Sequence, residues 1–169
     1  EDGNPILRSM QLKVEPIDGW EFVGSGNSTE GLWKTPRPVD GMALVGNKHV
    51  VSNRTVTTPH GEVVVSVHLA PNHADKTTYY LDATEQYLQL YTPLLGVYPY
   101  EQFSIVENFF SSGFAYPGFT VLGPRVVGMA PKSLAPGYLD HELLHNWWGN
   151  GVYVDASHGN WCEALTSYS

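Results

Sequence analysis

The chain of 169 residues carries 9 Lys and Arg against 17 Asp and Glu, a formal charge of −8 with neutral histidines, which argues against a nucleic-acid binder working through bulk charge, since such proteins need a basic face to displace counterions from phosphates. Hydrophobic residues at 42% with 15% charged argue against disorder and can fill a core, and no apolar run approaches the ~20 residues that span a bilayer. The single cysteine, Cys162, excludes an internal disulfide and a cysteine-based zinc finger. The chain opens on Glu1 and stops at Ser169 inside a helical pattern, so it is expected to be a piece of something larger.

Residues 1 to about 78 read as a β-rich segment. Met42-Ala43-Leu44-Val45 and His49-Val50-Val51 flank a Gly46-Asn47 turn, and the β-branched run Val63 to Leu69 is bounded by Pro59-His60-Gly61 and Pro71-Asn72. From Asp82 the period changes: Tyr87, Leu90, Tyr91, Leu94 and Leu95 are spaced for one helical face ending at Gly96. A domain boundary near residue 78 follows, with 79–169 as the second unit. Gln102–Val106 and Phe119–Leu122 read as strands around an aromatic loop through Phe109, Phe110, Phe114 and Tyr116. Pro131 to Gly137 is a connector, the pattern turns helical at Tyr138, and a Gly-bracketed loop (Gly149, Gly151, Gly159) precedes a last helix opened by Asn160.

The chemistry is concentrated in Asp140-His141-Glu142-Leu143-Leu144-His145, an H-E-x-x-H in a helical pattern. Residues four apart share a helix face, so His141 and His145 can offer imidazole nitrogens to one zinc ion, with Glu142 beside them as general base for a metal-bound water. Zinc lowers the pKa of that water and polarises a scissile carbonyl, so a peptide bond is attacked without a covalent intermediate. A third ligand six residues after the second histidine is excluded, because that position is Gly151. The other class of such enzymes takes a glutamate from the following helix, where Glu163 sits; Asp155 and His158 in the intervening loop are the less favoured ligands. Asn160 with Glu163 three residues on also fits a capping box, in which the carboxylate returns to the cap N–H and needs no metal.

The run His141 to Asn150, with H-E-x-x-H-x-W-W-G-N followed by Glu163, resembles the gluzincin metallopeptidases of the aminopeptidase N type. Gly96-Val97-Tyr98-Pro99-Tyr100 is similar to that family's G-x-Y-P-Y segment. The resemblance covers roughly residues 82–169. It implies an α+β chain: a β-rich N-terminal segment, then the first half of a thermolysin-like zinc-peptidase domain. It further implies zinc held by His141, His145 and Glu163, Glu142 as the catalytic base, a peptide as substrate, and the remainder of the catalytic domain beyond Ser169. Gly113, Phe114, Ala115 and Tyr116 align with the family's substrate-binding G-A-M-E-N motif, of which Ser112 takes the first place.

The chain departs from that family in three ways. The interval between His145 and Glu163 is one residue shorter than usual. Ala115 stands where the family has its amine-binding glutamate. The family's oxyanion-stabilising tyrosine lies beyond Glu163 by more than the six residues left in the chain. A catalytically incomplete zinc-binding fragment, or a β-rich binding module without turnover, is therefore the rival to an active peptidase. His158 and Asp155 are expected as loop residues or partners of ligands. His49, His60, His68 and His73 are expected to be structural or on the surface, and Trp147 and Trp148 to be core under the metal helix. Glu101 and Glu107 are the nearby carboxylates that could replace the amine-binding glutamate. Asn27 and Asn53 each begin a glycosylation sequon, a pattern common by chance.

Overall fold

Val63, Val65, Val67 and Leu69 occupy every second position of one strand and are all buried, the signature of a strand with one face on the core. In the computed structural model, which describes residues 5–111 and 113–169, that strand is the second of a nine-residue hairpin pair. In chain order the strands are β1 (Gln11–Lys13), β2 (Glu21–Gly24), β3 (Asn27–Thr29), β4 (Leu32–Lys34), β5 (Leu44–Asn47), β6 (Val50–Thr58) and β7 (Gly61–Leu69), then β8 (Gln102–Glu107), β9 (Phe114–Tyr116) and β10 (Phe119–Leu122). The helices are α1 (Thr77–Leu95), α2 (Pro124–Gly128), α3 (Leu139–Leu144) and α4 (Cys162–Tyr168), and the whole is an α+β arrangement. Ser112 lies outside the described residues, as does Glu1.

The main sheet has the order β6-β7-β8-β10-β9. β7 and β8 pair in parallel, as do β8 and β10, while β6 and β9 are antiparallel edges. A parallel pair needs a crossover, and α1 supplies it, packing on β6 and β7. Residue 78 is the second residue of α1, and the strands before and after it belong to one sheet. One core lies between the helices and the sheet, around Tyr80, Leu88, Phe103, Ile105, Leu139 and Leu143. A smaller core joins Val106, Phe119 and Val121 to Val23 and Trp33 from the N-terminal strands.

Two expectations need correction. Gly46-Asn47 is not a turn: both residues end β5, which pairs with β2 rather than β6. Gly46 sits opposite Phe22, where a Cβ would come within 2.5 Å of the ring, so the glycine makes room for a cross-strand aromatic. The α1 face is also rotated. Leu90 and Leu94 are 53% and 72% exposed, while Tyr80, Leu81, Thr84, Leu88 and Tyr91 are buried, because the helix begins five residues earlier than Asp82 and its first two turns set the buried stripe. The expected helix end holds, with Gly96 at φ +88° donating its N–H to the Thr92 carbonyl. No helix among the described residues is long and apolar enough to cross a membrane.

Candidate metal centre

The H-E-x-x-H segment is helical because Leu139, Leu143 and Leu144 give it a buried apolar stripe that rests against α1, β9 and β10. Its start is held by Asp140, a buried carboxylate. Oδ1 accepts the backbone N–H of Gly137 at 2.7 Å and of Tyr138 at 3.0 Å, and Oδ2 accepts the Tyr91 hydroxyl at 3.2 Å. These bonds satisfy a buried charge that would otherwise be costly. Burial, reinforced by the Asp140 charge, pushes the Tyr91 phenol up to about 12, so it remains a donor.

With the leucines turned inward, His141 and His145 project from the same exposed side, their rings nearly perpendicular at 89°. Nε2 of His145 is 3.2 Å from Nε2 of His141. Glu163 on α4 closes the group, with Oε2 3.3 Å from His141 Nε2 and Oε1 3.5 Å from His145 Nε2. The ligand atoms of these three residues lie within 4.8 Å of one another.

The donor set suits a cation. His145 Nδ1 is 3.1 Å from the Trp148 carbonyl, a contact that favours the proton on Nδ1 and leaves the Nε2 lone pair free. Nitrogen atoms of two imidazoles and the oxygens of a carboxylate converge here. Each carboxylate oxygen faces a different imidazole, and one atom from each of the three residues falls within 4.8 Å of the others, close enough to share one small cation.

The capping-box alternative does not match the helix start. α4 begins at Cys162 with Trp161 at the N-cap and no side-chain cap bond, which puts Glu163 at the second helical position rather than the third. The Cys162 thiol also donates to the Trp148 carbonyl, at 2.9 Å, and lies 3.4 Å from His145 Nδ1. Burial raises the thiol above its ordinary range, with the Glu163 charge acting the same way against a Thr166 hydrogen bond. Gly149 makes this packing possible: at φ +107°, a Cβ there would stand 2.7 Å from Cys162 Sγ.

Glu142 is turned one helical position from the histidines, into a cavity of about 420 Å³ bordered by Phe114, Ala115, His141, His145 and Glu163. Burial raises its carboxyl above the usual range; the His145 charge opposes this and Glu163 adds to it. A smaller cavity of about 170 Å³, reached past Gly113 and Glu142, is walled by Leu122, Val126 and Tyr138. A third, of about 520 Å³, meets Cys162 and Glu163 and is bounded by Pro5, Asp40 and Tyr153.

Gly113, Phe114 and Ala115 line the same cavity as the two histidines and both glutamates. Tyr116 does not: it stacks on Phe119 in the smaller core at 4.9 Å. Phe114 to Tyr116 form strand β9 instead of the expected loop. Neither Glu101 nor Glu107 reaches the cavity. Glu107 is buried, accepting the Ala70 N–H and facing His73 Nδ1, each at 2.8 Å, and Glu101 is exposed beside Asn27. His158 pairs with Asp155 at 3.2 Å on the exposed loop. Trp147 is in the main core and Trp148 packs against it. Asp140 and the Trp148 carbonyl had no assigned role in the sequence reading. An acidic residue in the first turn of the metal helix is a legible signal for the former; a backbone oxygen leaves none.

No family model matches the sequence, and no curated protein does. The fold is similar to solved structures of M1 zinc metallopeptidases. One, from Deinococcus radiodurans, aligns with a TM-score of 0.72 at 16% identity. A glutamate-to-alanine mutant of a two-domain M1 zinc metallopeptidase bound to L-tryptophan aligns at 0.73 and 16%. A mutant from Deinococcus radiodurans bound to a Tyr-Ser-Ala substrate aligns at 0.68 and 14%. In each case 97% of this chain matches about 40% of the neighbour.

Proposed function

We propose that this chain is the zinc-site portion of a metallopeptidase of the M1, aminopeptidase N-like type, a β-rich segment followed by the first half of a thermolysin-like domain. The observation that carries the reading is the convergence of His141, His145 and Glu163 beside Glu142 in one cavity; the fold similarity to M1 zinc metallopeptidases supports it. His141, His145 and Glu163 would hold zinc, which when bound acidifies a water and polarises a carbonyl. Glu142 accepts the proton as the nucleophile forms and returns it to the leaving amine, a role its raised carboxyl suits. The Trp148 carbonyl orients His145 through Nδ1, and Asp140 keeps the helix start in place. Gly113, Phe114 and Ala115 form the wall that a peptide would lie against.

The test is metal content by mass spectrometry together with peptidase activity, on this chain and on the full-length protein. One zinc per chain with peptide hydrolysis by the full-length protein supports the reading. Zinc without hydrolysis in the full-length protein would leave a metal-holding module, and no zinc would refute the site.

A further inference from the structure

Asn146 follows the second histidine and is completely buried. Its Oδ1 accepts the Gly118 N–H at 2.8 Å, and its Nδ2 donates to the Leu143 carbonyl at 3.2 Å. Gly118, at φ +83°, is the second residue of the Pro117-Gly118 turn between β9 and β10, whose flanking residues Tyr116 and Phe119 are paired. Backbone bonds hold the turn elsewhere: Gly26 N–H donates to the Pro117 carbonyl at 2.8 Å, and Ser104 N–H to the Gly118 carbonyl at 3.0 Å. Towards the metal helix, the hold is a side chain.

The opposite end of β9 also touches this helix. Gly113 passes so near Glu142 that a Cβ would stand 3.2 Å from Oε1. Asn146 lies in the turn that follows α3, where its N–H returns to the Leu143 carbonyl at 3.0 Å. The strand that walls the cavity and its turn are therefore held at two places, by the close approach of Gly113 to Glu142 in α3 and by the Asn146 amide just past the end of α3.

We infer that Asn146 is a positioning residue, which sets the substrate-facing strand β9 at a fixed distance from the metal-binding flank through its bond to Gly118. The inference rests on the metallopeptidase reading. A wall displaced from the metal weakens the contacts that hold a bound peptide, a loss that appears as a higher KM. Because His141, His145, Glu142 and Glu163 keep their own contacts, the loss falls mainly on substrate binding.

The experiment compares the zinc-loaded full-length protein with its Asn146→Leu and Asn146→Asp variants. Leucine keeps the branched shape, with larger groups, and removes both bonds, while aspartate keeps the acceptor for Gly118. Zinc content should equal that of the parent in both. KM for a peptide should rise about tenfold or more in the leucine variant with kcat changed by less than about threefold, and aspartate should restore most of the loss. Should leucine prevent folding, Asn146→Ser, too short to reach Gly118, is expected to show the same KM rise. An unchanged KM in a folded leucine or serine variant would overturn the inference alone, as would a loss of zinc that accounts for the whole effect. Absence of turnover in the parent would overturn the peptidase reading and this inference with it.

Discussion

Glu163 Oε2 lies 3.3 Å from His141 Nε2, although the two residues come from different helices joined by a glycine-bracketed loop. The contact sets the carboxylate of Glu163, from the first turn of α4, beside the histidines, where the proposed function uses it as a ligand. Glu163→Gln should weaken zinc binding by more than the roughly 10–100-fold typical of losing an outer partner, and the His141→Ala, His145→Ala double variant should lose zinc altogether. Competition with a chelator of known affinity measures both. Unchanged affinity in Glu163→Gln would return that residue to a local role in α4.

Glu142→Gln should keep the metal and lose turnover. The amide has the shape of the carboxylate and fits the space beside Gly113, yet it cannot take up a proton. A fall in kcat of about 10²–10⁴ with little change in KM is expected in the full-length protein. If instead zinc is lost with activity, Glu142 is part of the metal group and not its base.

Ala115 bears on where the chain is cut. Recognition of a free α-ammonium calls for a carboxylate near the metal, and among the described residues the carboxylates lining the cavity are Glu142 and Glu163, both of which the proposed function uses otherwise. Glu107 is held by Ala70 and His73. The full-length protein should therefore cleave an N-acetylated peptide about as well as its free-amine twin, with kcat/KM values within a few-fold. A strong preference for the free amine would mean that another carboxylate serves the site.

His68 should make stability depend on acid. It is buried beside Ser66, 3.3 Å away. Burial, aided by the neighbouring His49, pushes its pKa down to about 4 from 6.5. Above 6.5 it is neutral in both folded and unfolded chains, and stability is full. As pH falls from 6.5 towards 4, the unfolded chain takes a proton that the folded one refuses, so stability drops by about 1.4 kcal/mol per pH unit. Urea unfolding across that window should show the slope, and His68→Gln should flatten it. A parent whose stability is level from pH 6.5 to 4 would contradict the buried neutral imidazole.

The strands β7, β8 and β10 were legible because their runs are β-branched or aromatic and bounded by turn residues, and the metal helix because two histidines and a glutamate at fixed spacing have few other uses. The Gly46-Asn47 segment misled because a glycine opposite an aromatic and a glycine in a turn look alike until the partner strand is known. The face of α1 was misread for a related reason: Leu90 and Leu94 are as apolar as Leu88, and only the packing against β6 and β7 decides which turn outward. Tyr116 continues the aligned segment in sequence, but it stacks on Phe119 in the smaller core, a partner the alignment does not show. Asn146 was unreadable as a support, since an amide acquires that role only when Gly118 is brought to it, and Asp140 was legible as an acid at a helix start but not as the partner of Tyr91.

The parallel pairing of β7 with β8 across α1 has a consequence for the order in which the chain assembles. Parallel strands joined by a helix demand long loop closure before any contact repays it, and α3 docks on surfaces supplied by α1, β9 and β10. The candidate metal group of His141, His145 and Glu163 forms on a platform completed from earlier sequence. Metal uptake is thus expected to conclude folding rather than to trigger it: zinc should slow unfolding while leaving the refolding rate of the sheet unchanged. Refolding accelerated by zinc in stopped-flow experiments would reverse that order.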